Sequence, residues 1–190
     1  VGDVMYDIAM HYGDKLDSER DYIKDQDYVL ATLHRAENTD SLSRMKSIVD
    51  AFEILSKDMH IILPLHPRTK NILKEYKISE KLNDVEVIEP QSYLDMIALE
   101  KSAKVILTDS GGIQKEAFFY QVPCVTMRDE TEWRETIESG WNVLAGADSN
   151  SIVKNVRNFY DTAPRLCSEK PYGNGDASLK IIDKIYREFN

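Results

Sequence analysis

Residues 108–116, TDSGGIQKE, combine residue types that bind phosphate groups. They follow the apolar run 103–107, so a buried strand is expected to end in hydroxyls, two glycines and a new helix. The first N–H groups of a helix have no intrahelical acceptor and favour an anion. Gly111 and Gly112 have no Cβ, so a phosphate can approach the main chain closely.

Two side chains of this segment add to that chemistry. Ser110 can cap the helix or bind a phosphate oxygen. Glu116 lies about a turn and a half further along, where a carboxylate can accept hydrogen bonds from ribose hydroxyls. These residues fit a cradle for a nucleoside diphosphate. They fit equally well an ordinary strand–turn–helix whose glycines only fit a tight corner.

Composition limits the classes of function. The chain has 190 residues, of which 42% are hydrophobic and 30% charged, as expected for one soluble globular domain. Its net charge of −9 argues against general binding to nucleic acid or anionic membranes. Neither a transmembrane span nor a signal peptide is expected. Cys124 and Cys167 are far apart and unpaired in sequence, so we expect no metal site, no disulfide framework and a cytoplasmic location.

Short apolar runs alternate with segments of helical periodicity. The strands are predicted at 28–33, 59–65, 85–88, 103–107, 123–127 and 140–146. The helices are predicted at 3–16, 41–56, 68–76, 93–101, 112–120, 132–139, 149–160 and 176–189. Six strands too apolar to be half exposed predict an α/β fold with a doubly wound, parallel, six-stranded Rossmann-like sheet covered on both faces. The Pro- and Gly-rich stretch 163–175 is expected to run loosely over the surface.

Polar residues directly follow four of the predicted strands. They occupy 34–38, 66–68, 109–112 and 128–132. Because ligands of such sheets bind beyond the carboxyl ends of the strands, this edge is predicted to be a binding site. Arg128 with Glu132 resembles a cation oriented by a carboxylate. Each group also has a structural interpretation: His34 as a satisfied strand-end residue, His66 as a loop cap, Arg35 as a surface salt-bridge partner, and the acidic residues at 129–132 as a solvated turn.

Neither a P-loop nor a G-x-G-x-x-G motif is present, so ATP hydrolysis and NAD chemistry are excluded and no cofactor is expected.

Several motifs, taken in order, resemble the non-hydrolysing UDP-N-acetylglucosamine 2-epimerases: H-R-x-E-N at 34–38, L-H-P at 65–67, E-P-Q-x-Y-L at 89–94, T-D-S-G-G-I-Q-x-E-A at 108–117 and M-R-D-x-T-E at 127–132. The likeness covers essentially the whole chain and corresponds to the second half of such enzymes.

This resemblance implies one half of a two-domain GT-B enzyme of polysaccharide biosynthesis. The implied reaction is the reversible conversion of UDP-GlcNAc to UDP-ManNAc, by anti elimination of UDP to 2-acetamidoglucal and re-addition of UDP. Mapped onto this sequence, Ser110, Gly111 and Gly112 hold the diphosphate and Glu116 the ribose hydroxyls. His34 is the implied catalytic residue, near the phosphates, where it assists the departure of UDP.

The remaining implied contacts come from other strand ends. Arg128 lies near the phosphates, and Gln91 and Met96 flank the uracil. Arg35 and His66 resemble positions that touch a second, allosteric UDP-GlcNAc in some bacterial members. Ala36 stands where many members have another Arg, which weakens that allosteric reading, and Trp133 resembles a subgroup with T-E-W.

The resemblance also implies a domain division. Residues 1–17 form a crossover helix from a missing N-terminal domain, 18–162 the Rossmann-like UDP-binding domain, and 163–190 a linker and C-terminal helix that packs back toward the missing domain. The chain opens without Met, as a fragment of a longer protein would. The missing domain carries the acid/base carboxylates, so the isolated chain should bind UDP weakly and be inactive. The partners implied are UDP-GlcNAc, UDP-ManNAc and a second subunit of a homodimer.

Alternatives remain from the same and from other classes. A hydrolysing UDP-GlcNAc 2-epimerase, or another UDP-sugar GT-B glycosyltransferase, uses a similar glycine-rich diphosphate loop and ribose carboxylate. A non-catalytic UDP-sugar-binding module, complete as it stands, would share the site without the chemistry.

Overall fold

The structure is a computed structural model and describes residues 1–16, 26–164 and 170–189; Cys167 lies outside these ranges. The strands are β1 Tyr28–Thr32, β2 His60–Pro64, β3 Glu86–Ile88, β4 Val105–Thr108, β5 Cys124–Thr126 and β6 Asn142–Leu144. The helices are α1 Val4–Leu16, α2 Ala36–Thr39, α3 Leu42–Leu55, α4 Pro67–Glu75, α5 Tyr93–Ser102, α6 Gly111–Phe119, α7 Arg134–Glu138, α8 Ser149–Asp161 and α9 Ala177–Phe189. A short 3₁₀ helix spans Ser79–Leu82.

The strands form a parallel sheet in the order β3-β2-β1-β4-β5-β6, which confirms the predicted six-stranded, doubly wound fold. The chain order reverses between β1 and β4, where Thr32 pairs with Thr108 in register. The two hydroxyls are 2.6 Å apart at the carboxyl ends of these strands. In this fold the crevice beyond such a reversal is the usual ligand site.

The central strands are apolar because both of their faces are covered. Every residue of β1 and β4 is buried. One face of the sheet packs against α3 and α8, and the other against α5 and α6. All six strands were predicted to be buried, but the edge strand β3 is not: Val87 is 40% exposed, and β3 has a neighbouring strand on one side only. Cys124 on β5 is a buried free thiol.

The two ends of the chain meet on one side of the domain. Asp7 of α1 accepts hydrogen bonds from the Ala177 and Ser178 N–H groups at the start of α9, at 3.1 and 2.7 Å. The Ser178 bond holds the pKa of Asp7 below its usual value. Tyr172 is buried against Phe119, with ring centroids 5.1 Å apart, so the expectation of a loose surface stretch is wrong there.

Helix α9 has an exposed apolar face. Its members are between 54% and 82% exposed: Leu179, Ile182, Ile185, Tyr186 and Phe189. Across the described ranges, no helix combines the length and the apolar character needed to cross a bilayer.

Candidate functional site at the carboxyl edge of the sheet

A buried aspartate joins the loops that follow β1 and β4. Asp109 has no exposed surface. Its carboxylate accepts from the His34 N–H at 3.1 Å, the Arg35 N–H at 2.9 Å and Asn38 Nδ2 at 3.2 Å. The Nδ1 atom of His34 lies 3.5 Å from Asp109 Oδ1. The aspartate therefore fixes the backbone that presents His34 and Arg35, and leaves His34 Nε2 as the nitrogen that can reach a ligand.

The same network continues to the loop after β5. Asn38 Nδ2 also donates to the Met127 carbonyl at 3.0 Å. Arg44 donates to Asn38 Oδ1 at 3.0 Å, to Asp129 at 2.8 Å and to Glu37 at 3.0 Å. Three strand-end loops are thus held by one connected set of charge-assisted hydrogen bonds.

Sequence reasoning gave these positioning residues no role. The motifs contained Asp109 and Asn38, but Arg44 belonged only to a helical periodicity. One signal was available: an aspartate directly after a strand as apolar as β4 must find donors if it is buried. Which donors it finds depends on the pairing of β1 with β4, which is a tertiary contact.

The glycine-rich turn begins α6 at Gly111. Ser110 occupies the N-cap position, but its hydroxyl makes no capping hydrogen bond to the helix. The Ser110 N–H donates to the Thr108 hydroxyl at 2.9 Å. Of the two uses expected for this side chain, capping is not observed.

The backbone gives little reason for two glycines in this turn. Neither Gly111 nor Gly112 has a positive φ. A Cβ on Gly111 would come no closer than 3.5 Å to Trp133 Nε1 and 3.6 Å to the Arg35 guanidinium, which are ordinary contacts. A Cβ on Gly112 would likewise meet Glu116 Oε2 only at 4.0 Å. Neither φ nor packing against the described atoms therefore requires glycine here, so these positions are not explained by a tight corner.

Glu116 lies one helical turn beyond the glycines and is 8% exposed. Burial raises its pKa, while the neighbouring Lys115 ammonium and a hydrogen bond from Tyr93 act in the opposite direction. Lys115 forms an ion pair with Asp3 and lies 4.3 Å from the centre of the Trp133 ring. A carboxylate in this position can accept hydrogen bonds from a diol beside the turn.

A cleft of about 380 Å³ adjoins the turn. It brings together residues from the ends of several strands: Thr32, Leu33, His34, Pro64, His66, Arg68, Pro90, Gln91, Met96 and Ile113. His34, His66, Gln91 and Met96 were predicted site residues, and the structure places all four around this one cleft. Its wall is mostly apolar, as is typical of sites for planar bases.

Two candidate residues also have structural partners. His66 Nδ1 accepts from the Arg68 N–H at 3.2 Å and so caps α4. Arg128 donates through two nitrogens to the Glu132 carboxylate, at 3.0 and 3.2 Å. This pair raises the pKa of Arg128 and lowers that of Glu132. The prediction of a carboxylate-oriented cation at Arg128 is confirmed.

The predicted residues thus fall into three neighbouring groups. Ser110, Gly111, Gly112 and Glu116 form the turn, with the Arg35 guanidinium beside Gly111. The second group lines the cleft. Arg128 stands apart, connected through Glu132, whose Oε2 would lie 3.9 Å from a Gly111 Cβ. Among the described residues, no cluster of His, Cys, Asp and Glu is arranged to hold a metal ion.

Known proteins share both the sequence and the fold. The profile of the UDP-N-acetylglucosamine 2-epimerase family matches residues 1–186. A protein of Methanococcus maripaludis, called a UDP-N-acetylglucosamine 2-epimerase homolog, is 42% identical over 97% of this chain and 53% of its own length. The UDP-2,3-diacetamido-2,3-dideoxy-D-glucuronate 2-epimerase of Pseudomonas aeruginosa is 45% identical over 97% of this chain and 51% of its own length.

A solved structure gives the same result. The UDP-GlcNAc 2-epimerase of Methanocaldococcus jannaschii, in complex with UDP-GlcNAc and UDP, is 38% identical with a TM-score of 0.88, over 98% of this chain and 54% of that one. The present chain therefore spans about half the length of these relatives. The profile match over residues 1–186 shows that it belongs to the UDP-N-acetylglucosamine 2-epimerase family.

Proposed function

We propose that this chain is the UDP-binding half of a UDP-GlcNAc 2-epimerase, an isomerase that interconverts UDP-GlcNAc and UDP-ManNAc. The observation that carries the proposal is the turn at Gly111 and Gly112. The two residues begin helix α6, whose first N–H groups have no intrahelical acceptor, neither φ nor packing requires glycine there, and the Arg35 guanidinium lies beside Gly111. This is the arrangement that a diphosphate needs.

The neighbouring groups extend this site into one for UDP. Glu116 accepts from the ribose hydroxyls, with Ser110 on the diphosphate. The cleft with Gln91 and Met96 receives the uracil. The size of the cleft and its position next to the turn support this orientation of the nucleotide.

The proposed reaction begins with removal of the C2 proton by a base on the missing domain. The bond between C1 and the phosphate oxygen breaks, and UDP leaves with the electron pair as 2-acetamidoglucal forms. UDP then adds back to C1 while a proton is delivered to the opposite face of C2. Arg128 and His34 stabilise the negative charge on the departing diphosphate, and Asp109 keeps His34 in place for this.

A second substrate is favoured by one comparison. The Pseudomonas aeruginosa relative acts, by its name, on UDP-2,3-diacetamido-2,3-dideoxy-D-glucuronate, and it is 45% identical to this chain. Epimerisation at C2 and the UDP group are common to both substrates. The described site touches only the UDP end, so the sugar is selected by the missing half.

The remaining expectations are proposals about the longer protein. We propose that residues 1–17 cross over from an N-terminal domain and that 163–190 return to it; the exposed apolar face of α9 supports this division. A cytoplasmic homodimer is proposed from the family resemblance alone. The same holds for contacts of Arg35 and His66 with a second, allosteric UDP-GlcNAc.

The test is to express the protein with its upstream half and incubate it with each UDP-sugar in D₂O. The proposal expects UDP-ManNAc, with deuterium at C2 and UDP still attached, and no turnover by the 190-residue chain alone. Release of free ManNAc and UDP would indicate the hydrolysing class. Turnover of the diacetamido-glucuronate only would select the second substrate, and no epimer from either would contradict the proposal.

A further inference from the structure

Glu100 on α5 is a buried carboxyl group that the proposed reaction does not use. It is 2% exposed, and its Oε2 atom is buried with no hydrogen-bond partner among the described residues. An ionised carboxylate without donors is strongly disfavoured in such a place. Burial accordingly holds the pKa of Glu100 well above its usual value, and the negative charge of Glu116 acts in the same direction.

Among the described residues, hydroxyls and a thiol lie in the core cluster that holds Leu99, the neighbour of Glu100 in α5: Tyr28 and Cys124 belong to this cluster, and Tyr120 packs against it. Tyr28 of β1 is fully buried, and its hydroxyl donates to the Leu99 carbonyl at 2.6 Å. Burial raises the pKa of Tyr28, Tyr120 and Cys124, so these groups are uncharged at neutral pH.

A neutral hydroxyl also lies beside Glu116. Tyr93 donates a hydrogen bond to Glu116, and its ring lies 6.5 Å from that of Tyr12 of α1. Burial raises the pKa of Tyr93, and the charge of Glu116 adds to the rise. Neutral hydroxyls of this kind can donate to a carboxylate but cannot balance a second negative charge.

The two ammonium groups of this region bond to groups on the N-terminal segment. Lys101 donates to the Gly13 carbonyl at 2.7 Å, and Lys115 pairs with Asp3. Burial raises the pKa of both carboxyl groups, but the Lys115 charge opposes the rise at Glu116, whereas the Glu116 charge adds to the rise at Glu100. The asymmetry assigns the charge to Glu116 and the proton to Glu100.

We infer that Glu100 is a positioning residue for the nucleotide site: it keeps the proton of the Glu100–Glu116 pair, so that Glu116 is the single carboxylate facing the ribose. This role rests on the proposed binding of UDP. Two carboxyl groups that interact in this way titrate as a unit. Ionisation of Glu100 at alkaline pH places a second negative charge beside Glu116 and weakens the binding of a diphosphate.

The first test measures the proton through folding. A carboxyl group whose pKa is raised on folding binds more protons in the folded state. The free energy of unfolding therefore falls as the pH rises from the pKa of the unfolded state to that of the folded state. Between these values the folded-to-unfolded ratio of the wild type, relative to Glu100→Gln, should fall about tenfold per pH unit. Glu75→Gln, on the exposed surface of α4, is the control. A ratio independent of pH would overturn the inference.

The second test measures the UDP affinity of the 190-residue chain by calorimetry. It uses pH values below and above the pH at which the folded-to-unfolded ratio of the first test stops falling, which is the pH where folded Glu100 ionises. Below it, wild type and Glu100→Gln should bind UDP equally, because a neutral acid and an amide are near isosteres. Above it, the wild type should bind about tenfold more weakly, the effect of a one-unit coupling. Equal affinity above that point would overturn the positioning role. A wild type that binds no UDP at any pH would instead contradict the proposed function, while the folding test still locates the proton.

Discussion

Asp109 and Glu100 are both buried carboxyl groups, but their surroundings are opposite. Asp109 accepts hydrogen bonds from two backbone N–H groups and an amide, and those donors belong to the loop that carries His34 and Arg35. Glu100 has a buried oxygen with no hydrogen-bond partner among the described residues, and the negative charge of Glu116 acts on it. Burial alone therefore does not determine the role of a carboxyl group: Asp109 holds neighbouring loops through its donors, whereas Glu100, with an unpartnered oxygen among the described residues, is the group to which we assign a proton.

The largest effect is expected at Asp109. Asp109→Ala would leave the His34 and Arg35 N–H groups and the Asn38 amide without their acceptor. Each buried donor left unpaired costs about 1–3 kcal/mol, so the free energy of unfolding should fall by about 3 kcal/mol or more. Urea unfolding measures this. Asp109→Asn keeps one acceptor oxygen, so its free energy of unfolding should lie between those of the wild type and Asp109→Ala. A loss below about 1 kcal/mol for Asp109→Ala would contradict the role of the network.

Glu116→Ala should separate binding from stability. The substitution removes the ribose acceptor, so UDP affinity should fall about tenfold or more, as for a lost charge-assisted hydrogen bond. It also removes a carboxylate whose charged form is disfavoured by burial, so the free energy of unfolding should change by less than about 1 kcal/mol. Calorimetry with UDP is the measurement, and Glu75→Ala is the surface control. Unchanged affinity would rule out the ribose role.

A smaller effect is expected from Gly111→Ala. The Cβ would make only ordinary contacts with protein atoms, and alanine favours a helix, so stability should be kept or rise by up to about 1 kcal/mol. The methyl group would occupy the space above the main-chain N–H groups, so UDP should bind several-fold more weakly. Gly13→Ala on α1 is the matched control, with no expected effect on UDP. If Gly111→Ala lowers stability and leaves UDP affinity intact, the turn is structural.

The smallest effect should come from Arg44→Lys. A lysine keeps the charge but cannot serve Asn38, Asp129 and Glu37 at once, as the guanidinium does. We expect a loss of about 1 kcal/mol in urea unfolding and UDP affinity within about twofold of the wild type. A loss as large as that of Asp109→Ala would place the centre of the network at Arg44 instead.

Much of the site could be predicted because it is local in sequence. The alternation of apolar runs and helical segments predicted the fold, and the polar residues after four of the strands predicted which edge carries the candidate site. His34 and His66 needed only the rule that carboxyl ends of parallel strands share one edge, whereas Gln91 and Met96 were predicted from the family resemblance alone.

The two buried carboxyl groups could not be predicted in the same way. Asp109 finds its donors 71 to 75 residues earlier in the chain, so its role depends on the pairing of β1 with β4. Glu100 is a charged residue of a predicted helix without a clear amphipathic pattern, and only the packing of α5 in the fold buries its side chain. Likewise, the absence of a capping bond from Ser110 depends on a side-chain orientation that residue type does not determine.

The central claim is that the turn and cleft at the carboxyl edge of the sheet hold UDP. It is tested most directly by titrating the isotope-labelled 190-residue chain with UDP and following the backbone amide resonances by NMR. The account predicts large shifts at Ser110, Gly111 and Gly112, together with shifts at His34 and Met96 around the cleft. No perturbation, or shifts confined to another surface such as α8, would contradict it.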